Sequence, residues 1–121
     1  MHEMSLAMDI ITAITEDARM RKINYISRID VIIGDLSNVL ADALELAFFY
    51  LRTQSSPLIN EQTNLNIIRE KARSRCNKCM REFTPDYRIA ICPSCGAENC
   101  DLISGETFRV ESYEGCEMDE N

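Results

Sequence analysis

Two stretches of the chain carry apolar residues three and four positions apart, the spacing that is typical of an amphipathic helix. The first stretch runs from Ser5 to Lys22, and the second follows Ser37 and Asn38, either of which can cap a helix N-terminus. We expect their buried stripes to consist of Leu6, Ala7, Ile10, Ile11, Ile14 and Ala18 in the first helix, and of Leu40, Leu44, Ala47, Phe48 and Leu51 in the second. Each helix thus has one face to bury against the rest of the fold.

Three further stretches alternate apolar and polar residues with the two-residue period of a β-strand. They cover residues 23–33, 65–69 and 107–113, and the Gly34-Asp35 pair ends the first of them. The polar segment 53–63 contains Ser-Ser-Pro and is predicted to be a loop. These elements indicate an α+β fold in which two helices pack on one face of a small sheet.

The length and composition limit the class of protein. A chain of 121 residues, 45% of them apolar, suits one domain or one domain with a small appendage. No apolar run approaches the roughly 20 residues that span a bilayer, and the chain does not open with the basic and apolar segments of a secretory signal. We therefore expect a cytoplasmic protein with no membrane partner, whose six cysteines stay reduced and bind metal.

The net charge of −7 is unevenly distributed. Between Arg69 and Arg88 there are seven basic and three acidic residues, a net charge of +4, so the remainder of the chain carries −11. Such an acidic protein repels phosphate backbones, which argues against general nucleic-acid binding. The basic stretch surrounds the cysteines, and compensation of negative thiolates explains it.

Four of the cysteines form two Cys-x-x-Cys pairs, Cys76 with Cys79 and Cys92 with Cys95, separated by twelve residues. Two cysteines three apart can point both sulfur atoms at one ion from a tight turn, and two such turns complete a tetrahedral site for zinc. Gly96 directly after the second pair eases the turn of the chain. We predict a structural Zn(II) site with Cys76, Cys79, Cys92 and Cys95 as ligands, closed to catalysis because it leaves no open coordination position.

Two alternatives to zinc remain at this point, a redox pair of thiols and a rubredoxin-like iron site with the same four ligands. The size of the segment favours a structural metal. About thirty residues from Ser74 to Ser104 contain few large apolar side chains, and so small a segment rarely folds on its own core. Structural zinc supplies on the order of 10 kcal/mol of apparent binding free energy, comparable to the net stability of a whole domain.

The only histidine of the chain is His2. The Met1 amine, the amide nitrogens of His2 and Glu3 and the His2 imidazole can close fused chelate rings, and nitrogen donors in one plane favour Ni(II) or Cu(II) over zinc. Met1 is expected to persist, because the initiator methionine is normally removed only before small residues. The sequence therefore offers a second metal site at its first three residues.

Taken in order, these motifs resemble the HypA/HybF family of hydrogenase-maturation nickel chaperones. The resemblance rests on Met1-His2-Glu3 before an amphipathic helix, on Gly34-Asp35-Leu36-Ser37 after a strand, on the two cysteine pairs, and on Gly105-Glu106 before the last strand. It covers residues 1 to about 114. It implies transferable Ni(II) bound at Met1, His2 and Glu3, and a structural zinc domain inserted between strands of the sheet. It also implies delivery to the large subunit of [NiFe]-hydrogenase with a HypB-type GTPase, and some family members serve urease maturation proteins as well.

The resemblance also implies a division of the chain. Residues 1–73 form the nickel-binding α/β domain, completed by the last strand at 105–114, and residues 74–104 form the zinc-ribbon-like domain. The acidic composition of residues 115–121 separately predicts a flexible tail. Cys100 and Cys116 depart from the family's zinc pattern, and Cys100 is either a reduced surface thiol or an accessory metal ligand. The Glu3 carboxylate either assists the nickel site from outside the ligand shell or simply leads the helix as an acid.

The function inferred from the sequence is that of a metallochaperone and not of an enzyme. A single histidine at residue 2 leaves no Ser-His-Asp or Cys-His arrangement, and no Gly-rich phosphate loop is present, so GTP hydrolysis belongs to a partner. The alternative is a zinc-ribbon nucleic-acid-binding or transcription module that uses the basic residues between Arg69 and Arg88. A third interpretation is a structural subunit whose zinc supports an interface.

Overall fold

A computed structural model describes residues 3–86 and 89–117 of the chain. It confirms the predicted α+β fold: two helices, a three-stranded sheet, and a second small sheet that carries the cysteines. No helix of the described residues is long and apolar enough to cross a membrane. The elements in chain order are α1 Glu3–Met20, β1 Tyr25–Gly34, α2 Ala41–Leu51, β2 Asn64–Glu70, β3 Arg73–Cys76, β4 Glu82–Phe83, β5 Cys100–Ser104 and β6 Phe108–Cys116.

The first sheet has the strand order β2-β1-β6. Strand β6 runs antiparallel to β1, since the Asn24 N–H before β1 donates to the Cys116 carbonyl at 3.0 Å and the Gly34 N–H at its end donates to the Thr107 carbonyl at 2.7 Å. The last strand predicted from the sequence is confirmed, and it continues through Gly115 and Cys116, two residues into the predicted tail. Residues 118–121 lie outside the described residues.

Strand β2 runs parallel to β1. The Thr63 hydroxyl, just before β2, donates to the Ile26 carbonyl near the start of β1, and the Asp35 N–H after β1 donates to the Glu70 carbonyl at the end of β2 at 3.0 Å. The crossover between them contains α2. The sheet is therefore mixed, with β1 in the centre, which explains why β1 is the most deeply buried strand.

Both helices bury the stripes that the sequence predicts, with two exceptions. The core contains Ala7, Ile10, Ile11, Ile14 and Ala18 of α1, Leu44, Ala47, Phe48 and Leu51 of α2, and Ile26, Ile29, Val31 and Ile33 of β1. Leu6 is only half-buried. Leu40 was expected in the buried stripe of α2 but is 67% exposed, because it precedes the helix instead of lying in it.

The predicted capping of α2 by Ser37 or Asn38 is wrong. The N-cap residue is Leu40, and its side chain makes no capping hydrogen bond. The Ser37 hydroxyl instead accepts from the Val39 N–H at 3.3 Å, which closes a tight local turn, and Asn38 adopts a φ of 67°. The polar residues of this segment therefore build the turn after β1, and the helix begins after it.

The second sheet, order β4-β3-β5, was not predicted. Both pairings are antiparallel, with Ser74 opposite Phe83 in one and Cys76 opposite Cys100 in the other. Its strands have only two to five residues, which is too short for an alternating pattern to show in the sequence. This sheet places one cysteine of the first pair at the end of a strand.

The described chain forms two compact units. One contains the helices and the larger part of the three-stranded sheet; the other contains Ile32–Val39 and Arg69–Phe108, including the second sheet. Within the second unit Gly34 lies directly against Gly105, so closely that a Cβ on Gly34 would be 2.2 Å from the Gly105 carbonyl oxygen. The missing Cβ of Gly34 is what allows these two backbone segments to meet, whereas a Cβ on Gly105, with its φ of 118°, would lie 2.7 Å from the Ala72 Cα.

Candidate metal centre

The four predicted cysteines meet in one cluster. Their sulfur atoms all lie within 4.8 Å of one another, and the Sγ–Sγ distances are 3.6 Å for Cys76 with Cys95 and 3.6 Å for Cys79 with Cys92. A disulfide would need about 2.05 Å. A tetrahedron with Zn–S bonds of about 2.3 Å has edges of about 3.8 Å. The spacing of the sulfur atoms therefore fits one tetrahedral ion and no disulfide.

The two Cys-x-x-Cys turns have the same backbone construction. In the first turn the Cys76 N–H donates to the Arg81 carbonyl at 2.9 Å and the Met80 N–H donates to the Cys76 carbonyl at 3.0 Å. In the second, the Cys92 N–H donates to the carbonyl five residues on at 3.0 Å, and the Gly96 N–H donates to the Cys92 carbonyl at 2.9 Å. Each turn then needs a left-handed residue at the same place, which is Met80 with a φ of 66° and Gly96 with a φ of 72°.

This construction aims backbone N–H groups at the first sulfur atom of each turn. The N–H of Cys79, 3.4 Å from the Cys76 sulfur, is the main reason that the pKa of Cys76 falls to about 6, and the N–H of Lys78 at 3.3 Å adds to it. The pKa of Cys92 is lowered in the same way, first by the N–H of Cys95. Both buried sulfur atoms are thus favoured as thiolates, the form that binds metal.

The thiol of Cys95 shows the opposite behaviour. The N–H of Ala97 lowers its pKa, but the neighbouring Cys76 and Cys92 sulfur atoms, together with desolvation, outweigh that hydrogen bond and raise the pKa to about 12. Four adjacent thiolates repel one another, so the last of them ionises with difficulty. A divalent cation at the centre removes this repulsion, and the donor set of four soft sulfur atoms suits zinc.

Cys100 lies beside the cluster without belonging to it. Among the described residues, the metal-binding group consists of the four cysteines alone. Cys100 faces Cys76 across the β3–β5 pair, and its half-buried thiol donates to the Ala97 carbonyl at 3.5 Å. Burial is the main cause that raises the pKa of this thiol. It packs with Phe83 and Ala90 against the buried sulfur atoms of the cluster, so it forms part of the small core of this unit.

The polar side chains around the cluster tie its turns together. Asn77 in the first turn donates from its backbone to the Asn99 carbonyl at 3.0 Å, and its side-chain amide donates to the Asn99 side chain at 3.2 Å. The Arg81 guanidinium donates to the Ser94 hydroxyl, which links the two turns. The sequence spacing did not indicate these contacts, because they join positions more than ten residues apart.

Of the three residues predicted to bind nickel, Met1 and His2 lie outside the described residues. Glu3 is the first residue of α1, and its carboxylate accepts a hydrogen bond from the Leu40 N–H at 3.2 Å. Both sequence interpretations of Glu3 missed this contact. It places a negative charge at the start of α2, where no side chain of the segment 37–40 caps the helix.

Comparison with known proteins agrees with this geometry. Residues 1–115 match the family described as hydrogenase/urease nickel incorporation metallochaperone, hypA. A hydrogenase maturation factor HypA from Moorella thermoacetica is 36% identical over 115 residues, which cover 95% of this chain and 99% of that protein. A hydrogenase maturation factor HypA from Chlorobium luteolum is 38% identical over 112 residues, 93% of each chain.

Solved structures give the same result. The solution structure of the nickel metallochaperone HypA from Helicobacter pylori superposes with a TM-score of 0.65 at 28% identity, covering 98% of this chain and 100% of that one. The resemblance and the function inferred from the sequence are thereby confirmed. The chain belongs to the HypA family of nickel metallochaperones for hydrogenase maturation, non-catalytic proteins with a four-cysteine zinc site.

Proposed function

We propose that this chain binds one Ni(II) through the Met1 amine, the backbone nitrogens of His2 and Glu3 and the His2 imidazole. The ion is then passed to the large subunit of a [NiFe]-hydrogenase together with a HypB-type GTPase. The observation that carries the proposal is the position of the only histidine, at residue 2 of a chain that matches the nickel-incorporation family from residue 1 onward. Four nitrogen donors from three consecutive residues form a planar set that suits Ni(II).

The start of α1 is compatible with this chelate. The first four N–H groups of an α-helix do not take part in its hydrogen-bond ladder, so nickel can take the Glu3 nitrogen without breaking an α-helical hydrogen bond. A cation at a helix N-terminus is normally disfavoured by the helix dipole. Two deprotonated amides, however, balance the two charges of Ni(II), and the resulting complex is neutral.

The zinc site is proposed to be structural, with Cys76, Cys79, Cys92 and Cys95 as its ligands. Four thiolates leave no position for a substrate or a transferable ion. Zinc and nickel are therefore separate in role: residues 74–104 hold zinc permanently, while the domain of residues 1–73, completed by 105–114, carries the exchangeable ion. In this scheme the acidic tail is reduced to the residues that follow β6.

The cytoplasm is the proposed compartment. All six cysteines are free in the described chain, as expected in a reducing environment, and the exposed Cys116 thiol is compatible with it. The partners are proteins of metal-centre assembly, either for hydrogenase or, in line with the wider family, for urease. Nucleic acid is not among them, because a net charge of −7 repels it.

Equilibrium dialysis of tag-free protein against Ni(II), with metal content measured for both ions, tests the nickel site. We expect one nickel per chain in the native protein and its loss in His2→Ala, with zinc unchanged in both. Glu3→Gln is the matched control, since it keeps the backbone nitrogen and should retain nickel. Equal nickel binding by the native protein and His2→Ala would exclude the proposed chelate.

A further inference from the structure

Helix α2 is apolar on the side that faces solvent as well as on the side that faces the core. Its buried face contains Phe48, whereas the outer face exposes Leu46 by 69%, Tyr50 by 63% and Phe49 by 43%. Large apolar side chains that gather on the exposed side of one helix are typical of a contact surface. Three large exposed apolar side chains on an 11-residue helix therefore mark a surface that another element covers.

The outer face of α2 adjoins the start of α1 in an open groove of about 480 Å³, lined by Glu3, Met4, Ala43, Leu46, Ala47 and Tyr50. The four residues from α2 follow the spacing i, i+3, i+4, i+7 of one helix face. The two alanines leave room for a close approach, while Leu46 and Tyr50 form a wall. A groove of this kind, between two helices, accepts the apolar face of a third helix.

The rim of the groove is negatively charged. Glu3 lines it, and the exposed Asp42 lies on α2 one turn before Leu46. Within residues 3–86 and 89–117, Asp42 takes part in no ion pair, so its charge is available to a partner. We therefore expect a protein segment that binds in this groove to carry lysine or arginine residues beside its apolar stripe, because their positive charge complements the acidic rim.

We propose that this groove is the docking site for a cationic amphipathic helix of a partner protein. A second copy of this chain is a poor occupant, because it carries a net charge of −7 and would bring the same acidic rim against the groove. A helix with leucine-like side chains at the i, i+3, i+4, i+7 positions and basic residues beside them matches both the apolar floor and the rim.

The docking site also suggests where nickel passes to the partner protein. This second inference rests on the proposed function. Glu3 lines the groove, and the two residues before it span at most about 7 Å of extended chain. A partner seated in the groove is therefore within reach of the Met1 amine and the His2 imidazole.

A synthetic peptide of leucine and lysine, about 18 residues long with leucine at the helical spacing, serves as the probe. Its binding to the full-length zinc protein is measured by calorimetry, and the contact surface is mapped by amide chemical-shift changes. We expect the changes to centre on Met4, Leu46 and Tyr50. Leu46→Glu should weaken binding about tenfold or more, although it adds a charge that attracts the peptide, because the apolar contact is lost.

Matched variants separate docking from general charge attraction. Met20→Glu makes the same charge change on a residue that is 85% exposed at the end of α1, and it should leave the affinity within about twofold. Asp42→Lys should weaken binding, whereas Glu16→Lys, which lies on α1 away from the groove, should have a smaller effect. A peptide in which glutamate replaces lysine should not bind.

The proposal is overturned if Leu46→Glu and Met20→Glu bind the peptide equally, or if the shift changes map to another surface. It is also overturned if sedimentation shows a dimer of this chain that Leu46→Glu abolishes, since the occupant is then a second copy. Nickel and zinc content, measured in the same samples, should be unchanged by Leu46→Glu. If the native protein bound no nickel, the proposed function would be contradicted. The result on peptide docking would not be affected.

Discussion

Asp30 in the centre of β1 is a carboxylate with only 6% of its surface exposed. Its Oδ1 accepts from the Asn66 amide of β2 at 3.0 Å, its Oδ2 accepts from the Ser112 hydroxyl of β6 at 2.8 Å, and the Arg28 guanidinium lies 3.1 Å away. One side chain thus joins all three strands. Hydrogen bonding from Asn66, aided by Ser112 and Arg28, outweighs desolvation and lowers the pKa of Asp30.

We predict that Asp30→Asn destabilises the protein in a pH-dependent way. At pH 7 it should cost about 2 kcal/mol, because a charged hydrogen-bond acceptor becomes a neutral amide. The pKa of Asp30 is lowered on folding, so its stabilising contribution is present above the unfolded value of about 3.9 and is lost as pH falls below that value. Urea unfolding of both proteins at pH 7 and near pH 2 should therefore show a gap that closes in acid.

The matched control is Asp9→Asn on the exposed face of α1, which should change stability little at either pH. Both proteins lose zinc in acid, so the comparison between them isolates Asp30. A gap between Asp30→Asn and the native protein that stays constant across the pH range would contradict the assignment of an ionised buried carboxylate.

At the scale of single residues the sequence was informative where chemistry depends on local spacing. The four metal-binding cysteines could be predicted because each pair closes its own turn. The contact between Glu3 and the Leu40 N–H could not, because these residues are 37 positions apart and meet only through the packing of two helices. The contacts of Asp30 could not be predicted either. Asp30 fits the alternation of a strand, but its hydrogen-bond partners come from two other strands.

At the scale of elements, helix α2 begins without a side-chain cap. Its N-cap residue Leu40 has a φ of −85° and a ψ of 112°, the extended conformation that a capping serine or aspartate adopts, and its side chain is largely exposed. We predict that Leu40→Ser stabilises the protein by about 1 kcal/mol, because the hydroxyl can accept from an N–H of the first turn. Thermal unfolding should show a midpoint about 4 °C higher, and Leu40→Ala should not share the increase.

The contact of Gly34 with Gly105 gives a second prediction at this scale. A Cβ on Gly34 would meet the Gly105 backbone at 2.2 Å, so Gly34→Ala must push two strand ends apart and should cost more than about 2 kcal/mol. Gly96→Ala is the control. A Cβ at Gly96 would have no atom within 4 Å, so only the strain of an alanine at a φ of +72° remains, which should cost about 1 kcal/mol. Equal destabilisation of the two variants in urea would disprove this ranking.

The periodic elements were predictable and the short ones were not. Helix α1 and strand β1 have 18 and 10 residues, enough for the hydrophobic period to specify their type and buried face. Strands β3 to β5 have only two to five residues, too few for an alternating pattern to stand out from the sequence around them. The start of α2 was misplaced because Ser37 and Asn38 serve a turn equally well, and only the fold decides between turn and cap.

At the scale of the whole molecule, zinc and nickel are expected to be independent. We predict that Cys92→Ser removes zinc and loosens residues 74–104, whereas Cys100→Ser in the same small core retains it. Metal analysis and hydrogen exchange test this, and α1 should stay protected in both variants because its core stripe lies in the other unit. Cobalt substitution of the native protein should give the spectrum of a tetrahedral thiolate site, and an octahedral oxygen spectrum would refute it.

The proposed nickel site depends on the Met1 amine nitrogen, the first atom of the chain, as a ligand. Nickel calorimetry on protein with a native N-terminus, compared with protein carrying a Gly-Ser-Gly-Ser extension before Met1, tests it most directly. The extension must exceed one residue, because a single added residue would make His2 the third residue and close a new chelate with the new amine. The same extension after Asn121 is the matched control. We expect the N-terminal extension to abolish tight nickel binding, as His2→Ala does, while the C-terminal extension leaves it intact and zinc is unchanged throughout. Tight nickel binding by the N-terminally extended protein would show that the Met1 amine is not a ligand.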